Sequence, residues 1–354
     1  MERRTQLWAG RQPAWKGGDM PPRDLSPTER SPETALAWPP GRLCVPASGL
    51  RARAREVLAS LGAFEWLTFG YFSALNVLIV LFRENLDGTW FYIARHHAIA
   101  AGVVLLCWAE RRWGGAALRF TRHWHPHAMF LFCFEELHHL VRIVFPDWFD
   151  VWLIRFDYAL TGTHPTVWLE QFATPALNDL MQAAYITYFF YLVILGGMLY
   201  ARHQMKAYRA VLASTAAAYY AGYLTGVLFP IESPYHSLAA FQPVELAGGP
   251  VTALINWIES WGRVHGAAFP SAHVSGSFVA LLGAWRYRRW LFWIFLPLFL
   301  AMLVSTVYGR YHYVADVLAG LLYGWLGFWL GHRLVRTRGD SGSPALAAPA
   351  SVTS

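Results

Sequence analysis

Trp290-Leu-Phe-Trp-Ile-Phe-Leu-Pro-Leu-Phe-Leu-Ala-Met-Leu-Val-Ser-Thr-Val-Tyr308 contains no charged side chain, and Arg286, Arg288 and Arg289 stand just before it. An apolar helix of about 20 residues spans the hydrocarbon core of a bilayer. Comparable runs recur at about 61–82, 91–109, 127–146, 176–200, 208–229, 271–285 and 312–334. The chain of 354 residues is 55% hydrophobic, 16% aromatic and only 14% charged. A soluble domain carries about 25% charged residues, so composition excludes a soluble core with one anchor. The pattern predicts an all-α polytopic membrane bundle of about eight transmembrane helices. The run 271–285 is short for a span unless protein shields its first turn. The run 127–146 is polar for one, carrying Glu135, Glu136, His138 and His139.

Arginine placement gives the orientation. Arg51, Arg53 and Arg55 precede the first run, and Arg111, Arg112, Arg119 and Arg122 follow the second. Arg202, Lys206 and Arg209 separate the fourth and fifth, and Arg333, Arg336 and Arg338 follow the last. The alternate connections carry Arg83, Arg155, Arg263 and Arg310. By the positive-inside rule both termini are expected in the cytoplasm of a cell (inner) membrane protein. Segments 230–270 and 309–312 then face the periplasm or exterior. The formal charge of +7 reads as topology and contact with acidic lipid headgroups, not as a nucleic-acid surface.

Residues 1–55, rich in Pro, Arg, Ser and Gly, read as a disordered cytoplasmic tail, and 337–354 as a second tail. The first lacks the apolar core of a signal peptide, and Met20 is an alternative start. Between them, 56–150 is expected to hold the N-terminal transmembrane helices and 151–336 a catalytic membrane domain. Cys44, Cys107 and Cys133 have no metal-like spacing and imply no disulfide framework. In the long connection 231–268, Val251 to Trp261 has apolar residues at helical spacing. That fits either an interfacial helix over a site or a surface loop with one amphipathic turn.

Two strings at span ends carry chemistry. In His312-Tyr-Val-Ala-Asp316 the carboxylate lies one helical turn from the imidazole on the same face. It can hold one ring nitrogen as N–H and leave the other as a lone pair facing an electrophile. In Phe269-Pro-Ser-Ala-His273 the Pro-Ser pair reads as a helix start, with Ser271 the cap. His273 then sits in a first turn whose free N–H groups favour an anion. The segments between the strings cross the bilayer and return, so both fall on one membrane face. A nucleophile, an acid for the leaving oxygen and donors for an anion are the parts of phosphoryl transfer.

These motifs resemble the type 2 phosphatidic acid phosphatase superfamily of membrane lipid phosphatases, over roughly Ala210 to Val335. The second motif is Pro270-Ser271-Ala272-His273, with alanine where glycine is usual. The third runs from Ser305-Thr306 to His312, Asp316 and Gly320, with Thr306 in place of arginine. The first, Phe229-Pro230-Ile-Glu232-Ser-Pro234-Tyr235, lacks the family's lysine and arginine. A proline-bearing first motif and a non-glycine residue before the histidine are similar to the inositol phosphorylceramide synthase branch. So is Asp157-Tyr-Ala-Leu-Thr-Gly162-Thr-His-Pro165, which extends the likeness to about Asp150.

The resemblance implies a six-helix catalytic core and an inositolphosphotransferase-like enzyme acting on phospholipid or sphingolipid headgroups, without metal or cofactor. His312 would be nucleophile, His273 acid/base, Asp316 the orienting carboxylate, and Ser271 and Ala272 phosphate contacts. A simple lipid phosphatase releasing inorganic phosphate, or a lipid-binding or transport protein with a decayed site, are the alternatives. The missing cations need replacement, and Arg310 is the first candidate, then Arg263 and His265. Tyr235 and His236 are candidate donors. The expected partners are a membrane lipid substrate and the bilayer, with no nucleic acid.

Phe134-Glu135-Glu136-Leu-His138-His139 invites a di-iron reading with His123 and His127, but Glu-x-x-His occurs on one helix where such sites use two. A polar network bracing the bundle is the simpler expectation. Arg95, His96 and His97 are expected to snorkel to the interface. Asp157 and Glu232 fit structural hydrogen bonding as well as substrate contact.

Overall fold

Small residues decide which helix lies at the centre. The segment Met205–Leu228 buries Ala210, Ala213, Ser214, Ala217 and Ala218, so neighbouring backbones can approach it closely. The computed structural model describes residues 57–262 and 265–337, and among them there are helices, turns and loops but no strand. The tails expected at 1–55 and beyond 337, with Cys44 and Arg263, lie outside the described residues. The principal helices are α1 Ala63–Leu81, α2 Thr89–Trp113, α3 Ala116–Leu140, α4 Asp150–Thr161, α5 Pro175–Ile186 and α6 Tyr188–Ala201. They continue as α7 Met205–Leu228, α8 Pro250–Gly262, α9 Ala272–Tyr287, α10 Arg289–Tyr308 and α11 Val314–Thr337.

Six runs are long and apolar enough to cross a membrane: α1, α2, α5 with α6, α7, α10 and α11. This is an all-helical integral membrane protein. The two weakest expected spans are present as helices of another character: α3 is polar over much of its 25 residues and α9 has 16. The helix expected from residue 127 begins at Ala116, so His123 lies on α3 together with His127. Its polar first turns are held because Arg122 donates to Glu65 Oε1 at 3.1 Å and to the Ser60 carbonyl at 2.8 Å. The segment around Val251 to Trp261 is helical, within α8.

The longest seam runs between α11 and α7, and α9 fits between them. A glycine stripe on α11 permits it. A Cβ at Gly320 would come within 2.8 Å of the Ser271 carbonyl oxygen, and one at Gly324 within 2.8 Å of the Ser275 oxygen, both on the α9 side. A Cβ at Gly327 would meet the Ser214 oxygen of α7 at 2.8 Å.

Glu136 of α3 braces the N-terminal helices. It accepts from Arg95 and from His96 Nε2 at 3.0 Å, and His96 Nδ1 meets Asn76 Oδ1 at 2.6 Å. Arg95 and His96 therefore turn inward instead of snorkelling, because a buried carboxylate needs partners more than an arginine needs water. Among the described residues no three His, Cys, Asp or Glu side chains group as a metal site.

Gly320→Ala and Gly324→Leu are expected to force α11 off α9, at about 1–3 kcal/mol for overpacking a filled seam. Thermal unfolding of the purified variants in detergent checks this. Wild-type melting of both would refute the close seam.

Candidate functional site

The site begins with the start of α11. A helix leaves its first N–H groups without internal partners. Here Asp157 of α4 supplies them: its Oδ2 accepts from Val314 N at 2.8 Å and its Oδ1 from Ala315 N at 2.9 Å. Burial raises the Asp157 carboxyl above its ordinary range, while the two backbone donors pull it back. Asp316, in the same first turn, accepts from Tyr313 N at 2.8 Å through Oδ2. That oxygen also receives His312 Nδ1 at 3.2 Å. Asp316 is wholly buried and His312 nearly so.

The preceding turn fixes His312 from the other side. α10 ends as Arg310 takes a left-handed backbone, φ 64°, a common way to stop a helix. Tyr311 N and His312 N then both donate to the Thr306 carbonyl at 3.0 Å. The Thr306 side chain, standing where the resembled family has arginine, is buried and donates to the Leu303 carbonyl at 2.8 Å. Asp150 ties the first-motif segment to this turn. It accepts from Glu232 N at 2.8 Å, from Ser233 N at 3.2 Å and from the Tyr313 hydroxyl at 2.8 Å.

His273 opens α9, whose N-cap is Ser271: the hydroxyl accepts from Val274 N at 3.3 Å. His273 Nδ1 lies 3.1 Å from His312 Nε2. On its far side, Nε2 is 3.0 Å from the Tyr185 hydroxyl. A carboxylate only accepts, so His312 Nδ1 carries the proton toward Asp316 and Nε2 holds the lone pair. The sequence-predicted trio of His273, His312 and Asp316 is thus one hydrogen-bonded row, extended by a tyrosine.

A cavity of about 200 Å³ opens beside this row. Its lining includes the aromatic and aliphatic Phe134, Tyr188, Phe189, Ile255 and Ile258 together with Ala272, His273, His312, Tyr235, His236 and His265. Ser271 is not on the wall; its hydroxyl is committed to the cap. Arg310 reaches the wall, but its guanidinium donates to Glu170 Oε1 at 2.7 Å and to the Val244 carbonyl. Its charge is therefore matched by a carboxylate inside the protein. At the rim, His265 Nε2 donates to Glu232 Oε1 at 2.8 Å and its ring stacks on Trp148 and on His236. Glu232 also lines the cavity.

A model of the PAP2 superfamily matches residues 151–330, about half the chain, and the chain belongs to that superfamily. Its members are phosphatases and phosphotransferases, and this protein is a phosphatase-type enzyme of lipid or phosphate esters. Neither a curated protein nor a solved structure gives a match.

Sequence reasoning left Asp157 undecided and missed Asp150, Glu170 and Tyr185. Two tyrosines three residues apart within the α5–α6 run, Tyr185 and Tyr188, were a usable signal. The aspartates gave none beyond their place in an apolar stretch.

Burial pushes the His312 imidazole down to about 4 from 6.5, against the Ala268 carbonyl, which pulls it up. The unfolded chain therefore takes up this proton first on acidification. The stability from a neutral His312 is whole above pH 6.5 and is lost as pH falls toward about 4. His312→Asn is expected to flatten that part of the stability profile, measured by thermal unfolding across the range. Parallel profiles for variant and wild type would refute it.

Proposed function

We propose that this protein is a lipid phosphotransferase, inositolphosphotransferase-like, that moves a phosphate-linked headgroup through a phosphohistidine on His312. The observation that carries the reading is the row His273–His312–Asp316 on the wall of a half-apolar cavity. Asp316 holds His312 Nδ1–H, leaving Nε2 to attack phosphorus. In imidazolium form, His273 gives its Nδ1 proton to the departing lipid alcohol. The same nitrogen then takes the proton of the incoming alcohol, which attacks the phosphohistidine and frees His312. Nothing in this sequence requires a metal or cofactor.

The charge inventory supports a phosphodiester donor over a phosphomonoester. Among the described wall residues the one guanidinium, Arg310, is already matched by Glu170. A phosphomonoester carries close to two negative charges near neutrality, whereas a diester carries one. A lining of imidazoles and hydroxyls, with one imidazole carrying the proton for the leaving alcohol, suits the monoanion better. The aromatic and aliphatic part of the lining suits acyl or sphingoid chains next to the headgroup.

The proposed orientation is eight crossings, with the site at the periplasmic or exterior face of a cell membrane and both termini in the cytoplasm. Its support is that Arg111, Arg112, Arg202, Lys206, Arg286, Arg288 and Arg336 all lie at helix ends or turns away from the strings that carry the site.

Purified protein supplied with phosphatidylinositol and ceramide or diacylglycerol is expected to transfer the headgroup. Phosphatidic acid is expected to release little inorganic phosphate. His312→Ala should lose turnover and the labelled phosphohistidine while still inserting and folding. Release of inorganic phosphate from phosphatidic acid as the sole reaction would make water the acceptor and overturn the transferase reading. Full activity of His312→Ala would overturn the mechanism.

A further inference from the structure

The Tyr185 hydroxyl lies 3.0 Å from His273 Nε2, on the side of the ring opposite His312. Tyr185 is buried, and its ring is stacked on Tyr311 at 4.2 Å and 8°. Tyr311 is in turn held by Gln182, with the hydroxyl 3.0 Å from Nε2 and 3.1 Å from Oε1. The Tyr188 ring packs edge-on against His273 at 4.3 Å. Both tyrosines reach the site because the α5–α6 run is interrupted at Thr187, whose hydroxyl donates to the Ala184 carbonyl at 2.6 Å. A Ser or Thr bond of this kind bends a helix. Among the described residues, His273 has hydrogen-bond contacts with His312 on one ring nitrogen and Tyr185 on the other.

We propose that Tyr185 is a positioning residue for His273, a phenol that keeps Nδ1 aimed at the reacting phosphorus through both protonation states of the ring. This rests on the phosphotransferase reading above. Nε2 keeps its proton both in the imidazolium and in the neutral ring left after Nδ1 has given its proton, so Nε2–H donates to the Tyr185 oxygen in both states and only Nδ1 changes.

In the first step the His312 Nε2–P bond forms and the P–O bond to the lipid alcohol breaks. The Nδ1 proton of His273 goes to the leaving oxygen. The ring remains neutral, with its other proton on Nε2 bonded to Tyr185. In the second step the acceptor oxygen forms the new P–O bond as the N–P bond breaks, and its proton returns to Nδ1. The proton that departs with the first alcohol is replaced by the acceptor's, and Tyr185 keeps its own throughout. A carboxylate in this place would hold the imidazolium too firmly, and an apolar ring would let it rotate.

The test is Tyr185→Phe in the full-length protein, which keeps the stack on Tyr311 and removes only the hydroxyl. Two probes separate acid catalysis from binding: phosphatidylinositol, whose alcohol needs a proton to leave, and a long-chain alkyl p-nitrophenyl phosphate, whose phenolate does not. With phosphatidylinositol, kcat is expected to fall about tenfold or more with KM unchanged, a part of the 10²–10⁴-fold that a general acid supplies. With the p-nitrophenyl ester, the first-turnover burst of p-nitrophenolate, which needs no acid, should change in rate by less than about threefold, as should that of His273→Gln. A loss equal on both probes, or confined to KM, would make Tyr185 a packing or binding residue and overturn the proposal. Wild-type rates for Tyr185→Phe on phosphatidylinositol, with His312→Ala and His273→Gln inactive on it, would overturn it while leaving the phosphotransferase reading intact. If wild type turns over neither probe, or His312→Ala matches wild type, that reading falls and this inference falls with it.

Discussion

The start of α11 is the point on which the site depends. In a water-poor interior every backbone N–H and every carboxylate must find a partner within the protein. Asp157 answers the N–H groups of Val314 and Ala315, and Asp316 answers that of Tyr313. These bonds set the register of the first turn, and the register sets Asp316 behind His312. Remove Asp157, and two amides lose their partners one turn from His312. The carboxylate that caps the helix and the turn that holds His312 against Asp316 are thus one device, contributed by two segments over 150 residues apart in sequence.

The same economy governs α9. Ser271 caps it, Gly320 and Gly324 let α11 lie against it, and His273 emerges in its first turn, 3.1 Å from His312. Backbone proximity, not long flexible side chains, brings the two imidazoles together. This geometry leaves little freedom to either ring, which is the kind of pre-organisation that acid–base and covalent catalysis require.

The cation budget of the cavity follows from the same packing. Arg310 stands two residues from His312 but closes α10 and engages Glu170 and the Val244 carbonyl. Thr306 turns its side chain into its own helix. Phenols and imidazoles surround the reactive nitrogen in their place. A row of Tyr185, His273, His312 and Asp316 can shuttle protons without a net charge, which suits a buried site next to lipid chains better than unpaired guanidinium groups would.

The spans α1, α2, α7, α10 and α11 were legible because hydropathy over a bilayer's width is a local property of the chain, and so were the helix start at Ser271 and the His312–Asp316 turn. Even the polar α3 betrayed itself through Glu136, although its partners Arg95 and His96 did not: whether a basic residue near a span end turns outward or inward depends on a neighbour dozens of residues away. Arg310 and Ser271 taught the same lesson, since one guanidinium was matched by Glu170 and one hydroxyl was used as a cap. Local pattern, then, determined a helical membrane protein with two histidine motifs on one face. Tertiary structure alone decided that these histidines touch, that Asp150 and Asp157 hold them, and that Tyr185 completes the row. Such contacts join segments whose separation along the chain carries no periodic signal, and only packing brings them within bonding distance.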